Sequence, residues 1–231
     1  MAASGGLSRQ GVVSRQSFFS RQWYAVARGC VEVFCRLFWR VSVEGTEHVP
    51  TDGPFVLSPV HRSYVDTLFC GCTTRRRLRF MGKDDVWKYR LVGRFVSSLG
   101  AFPVHRGMPD REALRRCEEA IAGGEPVVIY PEGERKTGPV IQPLRDGAAF
   151  VACRAAVPIV PVGIGGSEWA MPRGAKFFHP VKVAIVIGKP LVPPERAEGS
   201  RVPRRVVAEM TEQLHTDLQE LFDRAQAKAG R

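Results

Sequence analysis

Several features that would have narrowed the class of this protein are missing from its sequence. It contains no uncharged run approaching the ~18–20 residues a helix needs to cross a bilayer, which argues against a spanning segment. Its six cysteines, Cys30, Cys35, Cys70, Cys72, Cys117 and Cys153, form no C-x-x-C pair and no Cys/His grouping with zinc spacing. They read as buried thiols of a reducing compartment. A G-x-S-x-G elbow is absent, so nothing signals a serine nucleophile. No internal repeat is visible. Lysine is scarce, at 7 residues against 27 arginines, and no acidic residue precedes Glu32.

The balance that results is strongly basic. A net charge of +11 over 231 residues favours anionic partners, whether nucleic acid, an acidic membrane surface or phosphorylated substrates. Arginine's planar donor fork suits phosphate, although the same bias is produced by a GC-rich genome. Hydrophobic content of 44% and charged content of 25% are those of an ordinary globular chain.

Residues 1–18 are small, polar and basic and are expected to form a flexible tail. Their composition resembles a mitochondrial transit peptide, but the same pattern fits a basic arm on an anionic bilayer, the preferred reading. The next segment, 19–42, places Arg21, Arg28, Glu32, Arg36 and Arg40 mostly four residues apart. On a helix these form a stripe about 120° wide, and the wide remainder is bulky and apolar, with Trp23 and Trp39 among its residues. That pattern predicts an amphipathic helix lying in a membrane interface, with packing on its own domain as the plainer reading. Gly29 could bend or break it. Residues 43–231 follow without a clear linker and are expected to be one catalytic domain.

Within that domain short apolar runs alternate with helical stretches. Strands are predicted at 40–43, 55–58, 78–81, 126–130, 159–164 and 182–187, and helices at 64–72, 84–98, 109–123 and 146–155. A C-terminal helix carries Val206, Val207, Met210, Leu214, Leu218, Leu221 and Phe222 on one face. The alternation predicts an α/β fold: a single domain with a mixed, largely covered sheet flanked by helices, preceded by the amphipathic segment.

Two stretches carry the chemistry. In "HRSYVD", His61 and Asp66 are five residues apart. On one continuous helix their side chains would diverge by roughly 140°, so cooperation requires His61 ahead of a helix and Asp66 in its first turns. Ser63 and Asp66 also have the spacing of a capping box, in which the serine caps the helix. The two readings are compatible. A carboxylate that accepts Nδ1–H leaves Nε2 free as a proton acceptor. The second stretch, "VVIYPEGERKTG", runs from a strand into Glu132, Gly133, Glu134, Arg135 and Lys136. Ligand sites favour that end of a strand, and Arg135 offers a fork for phosphate, although a charged surface turn would look the same. "GAFPVHRG", with Arg106 after a short extended run, says little alone. The basic run "RRRLR" (75–79) could face headgroups, coenzyme A phosphates or an acidic carrier protein, or be a solvated turn.

The order "HRSYVD", "GAFPVHR", "YPEGER" and "VPIVPVGI" resembles the four blocks of the PlsC-type glycerolipid acyltransferases, which include the 1-acyl-glycerol-3-phosphate acyltransferases. The likeness spans roughly residues 40–192. It implies His61 as catalytic base and Asp66 as its partner. It implies Arg106, Glu132, Gly133 and Arg135 as the site for the acceptor's glycerol phosphate, and Pro158 and Pro161 on the acyl-donor side or in a structural role. Glu134 stands where the family commonly has Thr or Ser, and Val60 replaces a common Asn.

The resemblance implies an O-acyltransferase that moves a fatty acyl group from acyl-CoA or acyl carrier protein to a lysophospholipid or glycerol phosphate. The expected acceptor is 1-acyl-glycerol-3-phosphate, giving phosphatidic acid. No cofactor, metal or covalent enzyme intermediate is expected. The site should work at an anionic membrane surface, on the cytoplasmic face, as a peripheral protein. Other acceptors, such as glycerol-3-phosphate or a lyso-ornithine lipid, and a non-catalytic basic lipid-binding protein are the rival readings. Nucleic acid is disfavoured, because the aromatics gather in the N-terminal helix instead of interleaving with arginines.

Overall fold

The structure, a computed structural model, describes residues 18–83, 87–104, 110–172, 174–195 and 201–231. Seven strands form one sheet: β1 (Ser42–Glu44), β2 (Val56–Pro59), β3 (Arg79–Lys83), β4 (Ala101–Val104), β5 (Val127–Val128), β6 (Ile159–Gly165) and β7 (Ala184–Ile187), in the order β1-β7-β6-β2-β5-β3-β4. The helices are α1 (Phe18–Phe38), α2 (Asp66–Cys70), α3 (Arg90–Ser98), α4 (Asp110–Ala122), α5 (Gly147–Ala155), α6 (Ser167–Ala170) and α7 (Arg204–Ala229).

The central strands β2, β6 and β7 are buried at every position, as expected when helices cover both faces of a parallel sheet. Every pairing is parallel except β6 with β7. The parallel neighbours need crossovers, and α4 and α5 supply two of them. Between β6 and β7 lie the four-residue α6 and a stretch without a long crossover helix, and β7 comes back antiparallel. The sheet is therefore mixed, as the alternation predicts.

β6 also determines how close α7 can lie. A Cβ on Gly163 would sit 2.3 Å from the Leu221 carbonyl, and one on Gly165 would sit 2.3 Å from the backbone of Ala225. These two glycines let a 26-residue helix rest directly on the strand, burying Leu214, Leu218, Leu221 and Phe222.

α1 is continuous through Gly29, so the helix is not broken there. Tyr24, Ala27 and Cys35 face the body, and Trp39, just past the helix end, is fully buried among Phe34, Phe38, Phe69 and Phe178. The segment is thus docked on the domain, not hung from it. Its other face leaves Trp23, Val26, Val33 and Leu37 exposed, and Glu32 bridges Arg28 and Arg36. Among the described residues no helix is long and apolar enough to cross a membrane. The expected basic tail lies almost wholly outside the described residues.

Two further expectations need correction. Cys30 is exposed, and the other five cysteines are buried. The basic run 75–79 is largely turned inward: Arg76 donates to the carbonyls of Pro50 and Gly53, Arg77 to that of Ser97, and Arg79 pairs with Glu125 at 3.5 Å. Those arginines anchor loops, and only Arg75 of the four is fully exposed.

Candidate active site

β2 ends at Pro59, and the chain turns through residues 60–65 into the short helix α2. His61 therefore precedes the helix and Asp66 is its first residue. The ring folds back, and Nδ1 lies 2.9 Å from Asp66 Oδ2. The same oxygen accepts the backbone N–H groups of Arg62 at 2.7 Å and Ser63 at 2.6 Å. The Asp66 side chain is fully buried, whereas 18% of the His61 side chain is open to solvent. A buried carboxylate needs such donors, and they hold it in one orientation toward the ring.

Half of the expected capping box is present. Asp66 reaches back to the Ser63 N–H, but the Ser63 hydroxyl donates to the Met171 carbonyl at 3.0 Å. Ser63 thus ties the site to the segment after α6 and does not cap the helix.

Sequence reasoning passes over Tyr130. Its ring stacks on His61 with centroids 4.0 Å apart and planes 23° from parallel. Its hydroxyl is shared with Thr67 Oγ1 at 3.3 Å and Cys70 Sγ at 3.7 Å. Burial pushes the phenol well above its ordinary range, so it stays neutral. Burial likewise pushes the Cys70 thiol up, which removes it as a nucleophile. The imidazole is held by a carboxylate at one edge and a phenol against its face. The only hint in the sequence was Tyr130's place at the strand end before Pro131.

The third block divides. Glu132 is not an open ligand: its side chain is 1% exposed and Oε2 lies 2.6 Å from Arg62 Nη1, whose side chain is equally buried. Oε1 accepts the Gln142 N–H at 3.1 Å, and Oε2 also lies 3.4 Å from the His61 N–H. Arg62 further packs its guanidinium 4.9 Å above the Phe222 ring of α7. Glu132, expected at the acceptor site, is thus paired within the protein and ties the His61 loop to the third block. Arg62, inside the first block, is the partner that sequence reasoning missed, because the two lie 70 residues apart.

Gly133 adopts φ +74°, and a Cβ there would meet the Arg145 guanidinium at 2.5 Å. Arg135 is half-buried, with its guanidinium 3.2 Å from the centroid of the exposed Tyr64 ring. Glu134 is exposed and paired with Lys136 at 2.8 Å, which offsets the extra negative charge beside Arg135. The Lys136 N–H donates to the His61 carbonyl at 2.9 Å. His61, Asp66, Tyr130 and the Glu132–Lys136 turn therefore form one constellation. Pro158 and Pro161 are built into the sheet: Pro161 is buried in β6 opposite Ser58, and the two carbonyls accept the N–H groups of Val56 and Gly188. Arg106 lies outside the described residues.

A family model described as "Acyltransferase" matches residues 40–165. The 1-acyl-sn-glycerol-3-phosphate acyltransferase of Bacillus subtilis is 28% identical over 200 residues, covering 86% of this chain and 96% of the relative. A chloroplastic enzyme of the same name from Brassica napus is 28% identical over 158 residues, or 67% of this chain, which spans 46% of that longer protein. The crystal structure of the 1-acyl-sn-glycerophosphate acyltransferase PlsC from Thermotoga maritima superposes with a TM-score of 0.70 at 24% identity. That match covers 90% of this chain and 84% of the other, a likeness of fold. With the family model spanning more than half of its residues, the chain belongs to the acyltransferase family and is of the PlsC type.

Proposed function

We propose that the protein transfers a fatty acyl group from a thioester donor to the free hydroxyl of 1-acyl-glycerol-3-phosphate, with His61 as general base. The observation that carries this reading is the 2.9 Å contact between His61 Nδ1 and the buried Asp66 carboxylate, beside a ring edge that solvent reaches. With Nδ1–H donated to Asp66, Nε2 is the acceptor. It takes the proton of the acceptor hydroxyl as that oxygen attacks the thioester carbonyl carbon. The C–S bond breaks as the tetrahedral oxyanion collapses, and the imidazolium returns the proton to the departing thiolate. Asp66 stabilises the cation in between. Positioned base catalysis contributes about 10²–10⁴ in rate, and alignment of two bound substrates adds to it.

Arg135 binds the acceptor phosphate, and Arg106 is proposed to share that load. The glycerolipid end approaches from a membrane surface. Support comes from α1 and α3 together, which are tied by Trp23 Nε1 donating to Ser98 Oγ at 3.1 Å. α3 exposes Leu91, Val92 and Phe95 beside Arg90 and Arg94, and α1 exposes Trp23, Val26 and Leu37. Large apolar side chains flanked by cations suit the interface of an anionic bilayer, taken here as its cytoplasmic face. The test is mass spectrometry of purified wild type and His61→Ala given mixed lysolipids and acyl thioesters. Phosphatidic acid formed by wild type and lost in the variant is the expected result. Equal turnover by His61→Ala would remove the base.

A further inference from the structure

Away from His61, the helices α4, α5 and α7 begin around one cavity of about 860 Å³. Arg111 is the second residue of α4, Asp146 and Gly147 open α5, and Arg204 is the first residue of α7; all four line the cavity. Arg154 and Arg201 complete its charged wall, and Leu114, Phe150 and Val207 are among its apolar lining.

The electrostatics here are one-sided. A helix start behaves as about half a positive charge, so anions belong there and cations are disfavoured. Yet α7 opens on Arg204 and Arg205 with no acidic residue in its first turn, and α5 has none in its own. Among the described lining residues four arginines face one carboxylate, Asp146, which already accepts the Thr211 hydroxyl at 2.9 Å. Arg154 is paired with Glu118 at 3.1 Å. Arg111, Arg201 and Arg204 have no hydrogen-bond or ion-pair partner among the described residues. These three arginines are exposed, so their donors are open to a polyanion from outside the chain.

The apolar lining limits which polyanion fits. Leu114, Phe150 and Val207 offer a surface for a flat, weakly polar group, and the volume falls in the ~300–1,000 Å³ range of small-molecule sites. Several phosphates joined to an aromatic base meet both demands. His61, Asp66 and Arg135 are not among the described residues that line the cavity, which is therefore separate from the proposed base. The rim is nonetheless next to the third block. Asp146 follows Arg145, whose N–H donates to the Pro131 carbonyl at 2.8 Å and whose side chain crowds Gly133.

We infer that this cavity holds the phosphorylated nucleotide end of the acyl donor, so that the donor is an acyl-coenzyme A thioester whose pantetheine arm runs past Gly133 to His61. The inference rests on the acyl-transfer reading above. The test is calorimetric titration of the full chain with coenzyme A and with 3′-dephospho-coenzyme A, for wild type, His61→Ala and the double variant Arg201→Gln/Arg204→Gln. The double variant should bind coenzyme A roughly tenfold or more weakly, the scale of losing charge-assisted hydrogen bonds. Wild type should discriminate against the dephospho form, and the double variant should lose that discrimination. Its melting temperature should be no lower than wild type, because two cations leave a positive helix end. Coenzyme A binding as tight as wild type would overturn the inference. So would a wild type that binds no coenzyme A yet accepts acyl groups from a carrier protein. A double variant that loses affinity for anionic phospholipid vesicles and keeps it for coenzyme A would overturn it too. His61→Ala should bind coenzyme A normally. A failed cavity therefore leaves the base intact, and a failed base leaves the cavity readable.

Discussion

Beside His61, ionised groups are met from within: Asp66 Oδ2 takes three donors, and Glu132 is held by Arg62 and two backbone N–H groups. At the cavity where α4, α5 and α7 begin, three arginines of the described residues stand without partners over an apolar lining. The contrast separates two uses of charge. A base must keep one geometry through the reaction, so the carboxylate that orients it is buried and one of its oxygens is held by three donors. A site for a charged ligand is built complementary to something absent from the chain, so its own charges are left unmatched, at some expense of stability. Arg62 and Arg204 differ less in chemistry than in whether the fold supplies the anion.

Five variants press on that contrast. His61→Ala should lower kcat by about 10³ while the protein still folds, because the ring is partly exposed and Asp66 keeps two backbone N–H donors. Retained turnover in the product assay would place the chemistry elsewhere. Next, Arg62→Ala should destabilise the fold by about 3–5 kcal/mol in urea titration, since it strands a buried carboxylate. The double replacement Arg62→Met/Glu132→Leu should recover much of that loss, a result that would identify the pair as a lock and not a ligand site. Arg135→Ala should raise KM for a phosphorylated acceptor roughly tenfold with kcat little changed, the size of one charge-assisted contact. No change in KM would move the phosphate to another group. The smallest effect is expected from Trp23→Ser/Leu37→Ser, which should weaken flotation with anionic vesicles by roughly tenfold or less and leave melting alone. Unaltered flotation would take α1 out of the membrane contact.

Legibility followed range along the chain. The predicted strand at 159–164 coincides with β6, and the helices at 109–123 and 146–155 with α4 and α5, because period and apolar runs are local signals. β4 reads only as a short extended run, since Pro103 weakens a strand pattern; its place at the sheet edge is where a proline is tolerated. α6, four residues long, offers no period to find. His61 before a helix and Asp66 within it followed from a spacing of five. Tyr130 and Arg62 did not, because each acts on a partner more than 60 residues away. The same limit hid the pairing of Glu132 with Arg62 and the distant carbonyls that Arg76 and Arg77 reach.

By itself the sequence determined the alternation of strands and helices, the placement of His61 one turn ahead of Asp66, and the membership of the family, all of which are written in neighbours a few residues apart. Only the tertiary structure decided which arginine is spent inside and which is left waiting, since a charge is satisfied or stranded by whatever the fold brings within about 3 Å of it. That pairing is made across the sheet, between segments whose meeting no local pattern records.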